Sequence, residues 1–108
     1  MLAQKKCVAC EGGLKPLAAD AAKKLLKEVP GWALADGGKM IKRRFKFKDF
    51  AAALAFVNKV GVIAESEGHH PDISFGWGYA ECSLWTHAIG GLHENDFIVA
   101  SKINGLSS

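Results

Sequence analysis

Cysteine is scarce in this sequence and odd in number: three thiols, Cys7, Cys10 and Cys82, make no disulfide framework and suit a reducing compartment in which thiols persist. Long apolar runs are also missing. No stretch approaches the ~20 residues that cross a bilayer, and the opening MLAQKKCVACEGG lacks the continuous apolar core of a secretion signal. A cytoplasmic location without membrane contact is expected. Cys7 and Cys10 form one C-x-x-C, which is half of a structural zinc site, and no second close pair follows at finger-like separation. Residues 1–13 therefore read as a partly ordered segment with two ordinary thiols, and 14–108 as a single domain.

A second core has no room in 108 residues, since each half would be too small to stabilise itself without staples or metal. The composition, 49% apolar and 23% charged, lets one compact core form. The net charge of +3 hides an asymmetry, because the Lys and Arg residues, Lys102 excepted, all precede Val60, while the acids lean toward the second half. A basic half could attract nucleic acid or an anionic ligand. Its charges are spread over helix and strand positions without a nucleic-acid motif, so a solvated basic face is expected and no nucleic-acid partner.

Along the chain, Leu17, Ala21, Leu25 and Val29 recur near helical spacing with lysines between them, which predicts an amphipathic helix over 17–29 ended by Pro30-Gly31. Trp32-Ala33-Leu34 reads as a short strand and Asp36-Gly37-Gly38 as a turn. In 39–48, Ile41, Phe45 and Phe47 alternate with Lys42, Arg44, Lys46 and Lys48, as in a half-buried antiparallel strand, with Arg43 breaking the inner face. Asp49 can cap the next helix. That helix carries two apolar stripes, Phe50, Leu54, Val57, Gly61 and Ala64 beside Phe56, Val60 and Ile63. Two stripes need two partners, so one faces the sheet and the other is a candidate oligomer contact. A second hairpin is expected over 71–87 around Gly76-Trp77-Gly78-Tyr79, with Cys82 as a small buried hydrophobe, and a last helix over 94–104 with Glu94 and Asp96 at the positive end of its dipole. The order α-β-β-α-β-β-α predicts an α+β fold: a four-stranded antiparallel sheet with three helices packed on one face.

All four histidines lie in the last forty residues, and His69, His70 and His87 stand at predicted element ends. Pro71 restricts His70 to an extended conformation, so the adjacent imidazoles point in different directions from a rigid corner. His87 closes the last predicted strand ahead of Gly90-Gly91. Imidazoles titrate near neutrality, so such a cluster can hold one proton donor and one acceptor, which suits dehydration. The plainer reading, with two histidines capping backbone groups and the third packed, stands beside it. A metal site held by the three histidines is a third and less favoured reading, because adjacent histidines rarely present both rings to one ion and a helix-borne i,i+4 pair is absent. Glu65, one helical turn before His69, could orient an imidazole or be a solvated helix-end acid. Trp77, Tyr79 and Trp85 could stack on a flat heterocycle or simply pack.

The stretches FKFKDFAAALAFVNKVGVIAESEGHHP and GHHPDISFGWGYAECSLWTHAIGGLHENDFIVASKI, with Pro30-Gly31-Trp32, resemble the pterin-4a-carbinolamine dehydratases in order throughout. CVACEGG with Pro16-Leu17 is similar to the N-terminal segment of bacterial members. The resemblance implies the same α+β fold assembled as a homodimer or homotetramer, with no metal and no organic cofactor. The implied reaction dehydrates 4a-hydroxytetrahydropterin to the quinonoid dihydropterin, recycling the pterin of aromatic amino acid hydroxylases. Carried over by position, His69, His70 and His87 are the catalytic histidines and Glu65 a supporting carboxylate. Gly68, Pro71, Trp85, Thr86 and Ala88 fall at substrate-binding positions. His70 and His87 are expected as acid and base, with His69 binding or sharing the role.

Four positions depart from the animal members: Gly68 replaces an acid, Ile73 a tryptophan, Trp85 a serine and Asn95 an arginine. They bear on the pterin side chain and the binding contacts, whereas the three histidines keep the reaction. The competing expectations are a non-catalytic binding role, since animal members also stabilise dimers of a homeodomain transcription factor, and an assembly factor for a carbon-fixing enzyme. DNA binding through Lys42, Arg44, Lys46 and Lys48 is the third.

Overall fold

A computed structural model of the chain describes residues 2–5 and 15–106. Cys7 and Cys10, and most of the segment 1–13, lie outside the described residues. Within them the order is α1 (Ala19–Leu26), β1 (Ala33–Ala35), β2 (Met40–Lys46), α2 (Phe50–Glu67), β3 (Asp72–Gly76), β4 (Tyr79–Leu84) and α3 (Glu94–Asn104), with 3-10 turns at Leu2–Gln4, Asp36–Gly38 and His87–Ile89. The α-β-β-α-β-β-α order and the antiparallel sheet are those the sequence predicts.

The sheet runs β1-β2-β4-β3, so each hairpin supplies one central and one edge strand. β2 and β4 pair from Ile41↔Leu84 to Lys46↔Tyr79. On the inner face this register brings together Ile41, Phe45, Ala80, Cys82 and Leu84, all buried. On the outer face it sets Glu81 among the basic residues, 3.9 Å from both Lys42 and Arg44, while Arg44 lies 4.2 Å over the Tyr79 ring. The basic face of β2 is thus partly neutralised by its neighbour strand.

α1 is shorter than its apolar period suggests. After Leu26 the chain closes i to i+3 turns, Glu28 N–H to Leu25 and Val29 N–H to Leu26, because Pro30 blocks further helix. Gly31 follows at φ +90°, and a Cβ there would sit 2.6 Å from the Arg43 guanidinium. Arg43, which interrupts the inner face of β2, resolves its burial by donating to Pro30 O at 3.1 Å and Asn104 Oδ1 at 2.8 Å, with its guanidinium 4.4 Å over the Phe45 ring.

α2 starts where Asp49 caps it, Oδ1 accepting from the Ala52 N–H at 2.8 Å. Its Ala53, Phe56, Val60 and Ala64 are buried against the sheet and α3. Ala64 therefore belongs to the sheet-facing stripe. Phe50 (46%), Leu54 (39%) and Val62 (71%) remain exposed on the other side. α3 closes the core with Phe97, Ile98, Val99, Ala100 and Ile103, all buried. No helix of the described residues is long and apolar enough to cross a membrane.

Candidate active site

The site begins where α2 stops. Gly68 takes the left-handed conformation (φ +65°) that ends the helix, and both Gly68 and His69 donate their N–H to Ala64 O. This reversal sends His69 inward toward α3 and leaves His70 outside, beside the last turn of α2. Pro71, half-buried, carries the chain on into β3.

His69 Nε2 lies 2.6 Å from Asp96 Oδ1. Asp96 is fully buried in the first turn of α3, and its other oxygen accepts from Thr86 Oγ1 at 2.9 Å and from the His93 N–H at 3.0 Å. Both of those donors fall on Oδ2, which leaves Oδ1 to His69. Facing a carboxylate oxygen, the His69 ring donates through Nε2, and Nδ1 is its other nitrogen.

His70 Nε2 meets Glu65 Oε2 at 2.5 Å, with both side chains more exposed than covered (59% and 79%). Glu65 thus supports His70 rather than His69, because the reversal at Gly68 turns His69 away from the α2 surface. The two adjacent imidazoles face opposite environments, one against a buried carboxylate and one against a solvated carboxylate.

His87 stands in a different local setting from the strand end the sequence suggests. β4 ends at Leu84, Thr86 bridges to Gly91, and His87 opens the 3-10 turn His87–Ile89. The reason is the Gly90-Gly91 pair: Gly90 at φ +62° lets the chain fold back so that the Thr86 N–H donates to Gly91 O at 2.8 Å. Leu84 and Thr86 point inward while Trp85 and His87 lie outward. The Trp85 and His87 rings stack with centroids 4.3 Å apart and planes 36° from parallel.

Each histidine is therefore held by its own partner: His69 by Asp96, His70 by Glu65, His87 by Trp85. Asp96 connects His69 to Thr86, the residue next to His87, whereas no hydrogen bond between the described residues joins His87 to His69 or His70. Among the other expected binding positions, Gly68 and Ala88 are exposed and the Thr86 hydroxyl is engaged by Asp96. Trp77 is 72% exposed at the β3–β4 turn and Tyr79 lies under Arg44. Among the described residues no group of three His, Cys, Asp or Glu side chains is arranged to hold a metal ion.

Asp96 is the residue that sequence reasoning passed over, reading it only as a helix-dipole acid. A signal for it existed: an acid at the third helical position after an N-cap is the reciprocal half of a capping box. A cleft of about 290 Å³, lined by residues that include Leu17, Leu34, Lys39 and Gly91, contains none of the three histidines, Glu65 or Asp96. The cleft is mostly aliphatic, and the three histidines with their carboxylate partners lie outside it.

Residues 15–106 match the family described as Pterin 4 alpha carbinolamine dehydratase. The chain is similar to a Methylococcus capsulatus protein named "Putative pterin-4-alpha-carbinolamine dehydratase", at 51% identity over 99% of this chain and 94% of that protein. A Halorhodospira halophila protein of the same name is also 51% identical, over 99% and 98%. Among solved structures, a Brucella melitensis protein titled "transcriptional coactivator/pterin dehydratase" superposes with a TM-score of 0.82 at 32% identity, covering 87% of this chain and all of that one. A pterin dehydratase-like protein identified as a RuBisCO assembly factor in the alpha-carboxysome superposes with a TM-score of 0.64 at 26% identity, covering 75% of this chain and 94% of that one.

Proposed function

The chain belongs to the pterin 4 alpha carbinolamine dehydratase family, and from that membership we propose that it removes water from a 4a-hydroxytetrahydropterin to give the quinonoid dihydropterin. The pairing of His69 with the buried carboxylate of Asp96 is the observation that carries this reading. In the reaction the C4a–O bond breaks as the hydroxyl takes a proton and leaves as water, and the N5–H proton is removed as the C4a–N5 double bond forms. One acid and one base suffice, and no electrons leave the pterin.

His69 suits the base. With Nε2–H committed to Asp96, Nδ1 presents a lone pair, and the carboxylate stabilises the imidazolium that forms when the proton arrives. His70 suits the acid, because an imidazolium beside Glu65 keeps an ion-pair partner and, at a solvated surface, is reprotonated by water after each turnover. His87, its ring fixed by Trp85, lies exposed where it can share proton transfer or bind the pterin. Each such group is typically worth ~10²- to 10⁴-fold. The protein is proposed to act in the cytoplasm as a homodimer or homotetramer, with the exposed Phe50, Leu54 and Val62 side of α2 covered by a second copy. No metal or organic cofactor enters the scheme.

An assembly role is the second reading, favoured by the likeness to the RuBisCO assembly factor. The two carboxylate-paired histidines support the catalytic reading over it, since an assembly surface has no need of a buried acid behind an imidazole. The deciding experiment follows the ultraviolet change as chemically generated 4a-hydroxytetrahydropterin decays, with the parent, with His69→Ala and without protein. Acceleration by the parent and its loss in the variant establish the dehydratase. A folded parent that leaves the uncatalysed rate unchanged sinks the reading and moves the weight to assembly.

A further inference from the structure

The fourth histidine, His93, has no part in the scheme above. It is the N-cap of α3, in extended backbone (φ −136°, ψ 161°), and its Nδ1 accepts from the Asn95 N–H at 3.0 Å. An accepting Nδ1 places the ring proton on Nε2. In return, the His93 backbone N–H donates to Asp96 Oδ2 at 3.0 Å, which closes a reciprocal capping box. Serine, threonine, asparagine and aspartate are the usual residues at this position. Here an imidazole does the same work with a nitrogen acceptor.

Asp96 is thus the meeting point of a helix cap and a histidine pair. Thr86 and His93, at the two ends of the connection from β4 to α3, donate to Oδ2, and together they set the rotation of the carboxylate that turns Oδ1 toward His69. The His93 donor is aimed at Oδ2 only while its backbone keeps the extended N-cap conformation, and the ring-to-Asn95 bond holds that conformation. We infer that His93 is a positioning residue: its ring, acting through its own backbone N–H, keeps the Asp96 carboxylate turned toward His69. The consequence for turnover rests on the proton-transfer role proposed for His69, but the hydrogen-bond chain itself can be read without any substrate.

The test follows the His69 Nε2–H proton in protein labelled with ¹⁵N-histidine, measuring its exchange with water by NMR. In the parent the bond to a buried carboxylate makes this exchange slow. His93→Ala removes the ring acceptor and accelerates the exchange several-fold while circular dichroism stays that of the folded chain. His93→Ser supplies a new acceptor and restores the slow rate. His93→Gly suits an N-cap backbone without offering a side-chain acceptor, so it follows His93→Ala and decides the matter if the alanine variant does not fold.

Unchanged slow exchange in a folded alanine or glycine variant overturns the inference, as does failure of serine to rescue. Turnover of 4a-hydroxytetrahydropterin by the same set is expected to fall in kcat with little change in KM, and to recover in His93→Ser. A parent without turnover sinks the dehydratase reading alone, and the exchange rates still decide the role of His93.

Discussion

Asp96 and His69 meet across the junction of α2 and α3, Oδ1 to Nε2 at 2.6 Å, with the carboxylate fully enclosed and the imidazole 13% exposed. Asp96→Asn keeps the shape of that contact and alters its chemistry. With the amide nitrogen turned toward His69, Nε2 must accept instead of donate, and the ring proton moves to Nδ1, where the base needs its lone pair. The expected loss in kcat is ~10²- to 10⁴-fold, the range of a misassigned general base. Steady-state kinetics beside a thermal melt check it: a folded variant with parental kcat removes Asp96 from the mechanism.

Glu65 and His70 form a pair of the opposite kind, largely in solvent. Exposed ion pairs contribute about 0–1 kcal/mol, so Glu65→Gln is expected to leave the melting temperature within a few degrees of the parent and to act on turnover more weakly than Asp96→Asn. A larger kinetic loss in Glu65→Gln would place the critical proton transfer at His70.

Asn104 ties three segments together. Its Oδ1 accepts from Trp32 Nε1 and from Arg43 Nη1, each at 2.8 Å, and its Nδ2 donates to Pro30 O at 3.1 Å. Asn104→Ala leaves the indole N–H of the buried Trp32 without its acceptor, which costs ~1–3 kcal/mol. The readout is a chemical denaturation midpoint, and a shift within error would show that water replaces the amide.

Burial pushes the Cys82 thiol up to about 12, with the neighbouring Glu81 charge adding to the shift. The folded state therefore holds this proton more tightly than the unfolded chain does. The resulting stability is complete below the ordinary thiol range and is lost as the pH rises from about 9 toward 12. Alkylation at pH 8 mapped by mass spectrometry is expected to leave Cys82 unmodified until denaturant is added. Modification of the native protein would mean that β4 opens.

Leu54→Glu places a charge in the exposed apolar side of α2. If a second copy covers that side, sedimentation of the parent gives a dimer or tetramer and the variant shifts to a smaller species. A monomeric parent at micromolar concentration would remove the interface.

The residues alone specified more of the fold than of the site. Period-2 alternation in β2, the Asp49 cap and the glycine turns are local signals, because backbone conformation and one-sided burial act over a few neighbouring residues. From them follow the two hairpins, the long helix between them and the order of elements. Doubled histidine before proline, Thr-His and Gly-Gly marked the corners at which the proposed site stands. Tertiary structure decided what those corners touch. Asp96 stands 27 residues from His69 and Asn104 61 from Arg43, and only the packing of α3 against the end of α2 and the inner face of the sheet brings each pair within hydrogen-bond distance. The choice of Glu65 for His70 instead of His69 likewise depends on the direction in which the chain leaves Gly68, and on α3 being there to receive His69. Local periodicity encodes which face of an element is buried. It carries no information on which buried carboxylate waits on the other side, because that contact exists only after both elements have docked on a common core.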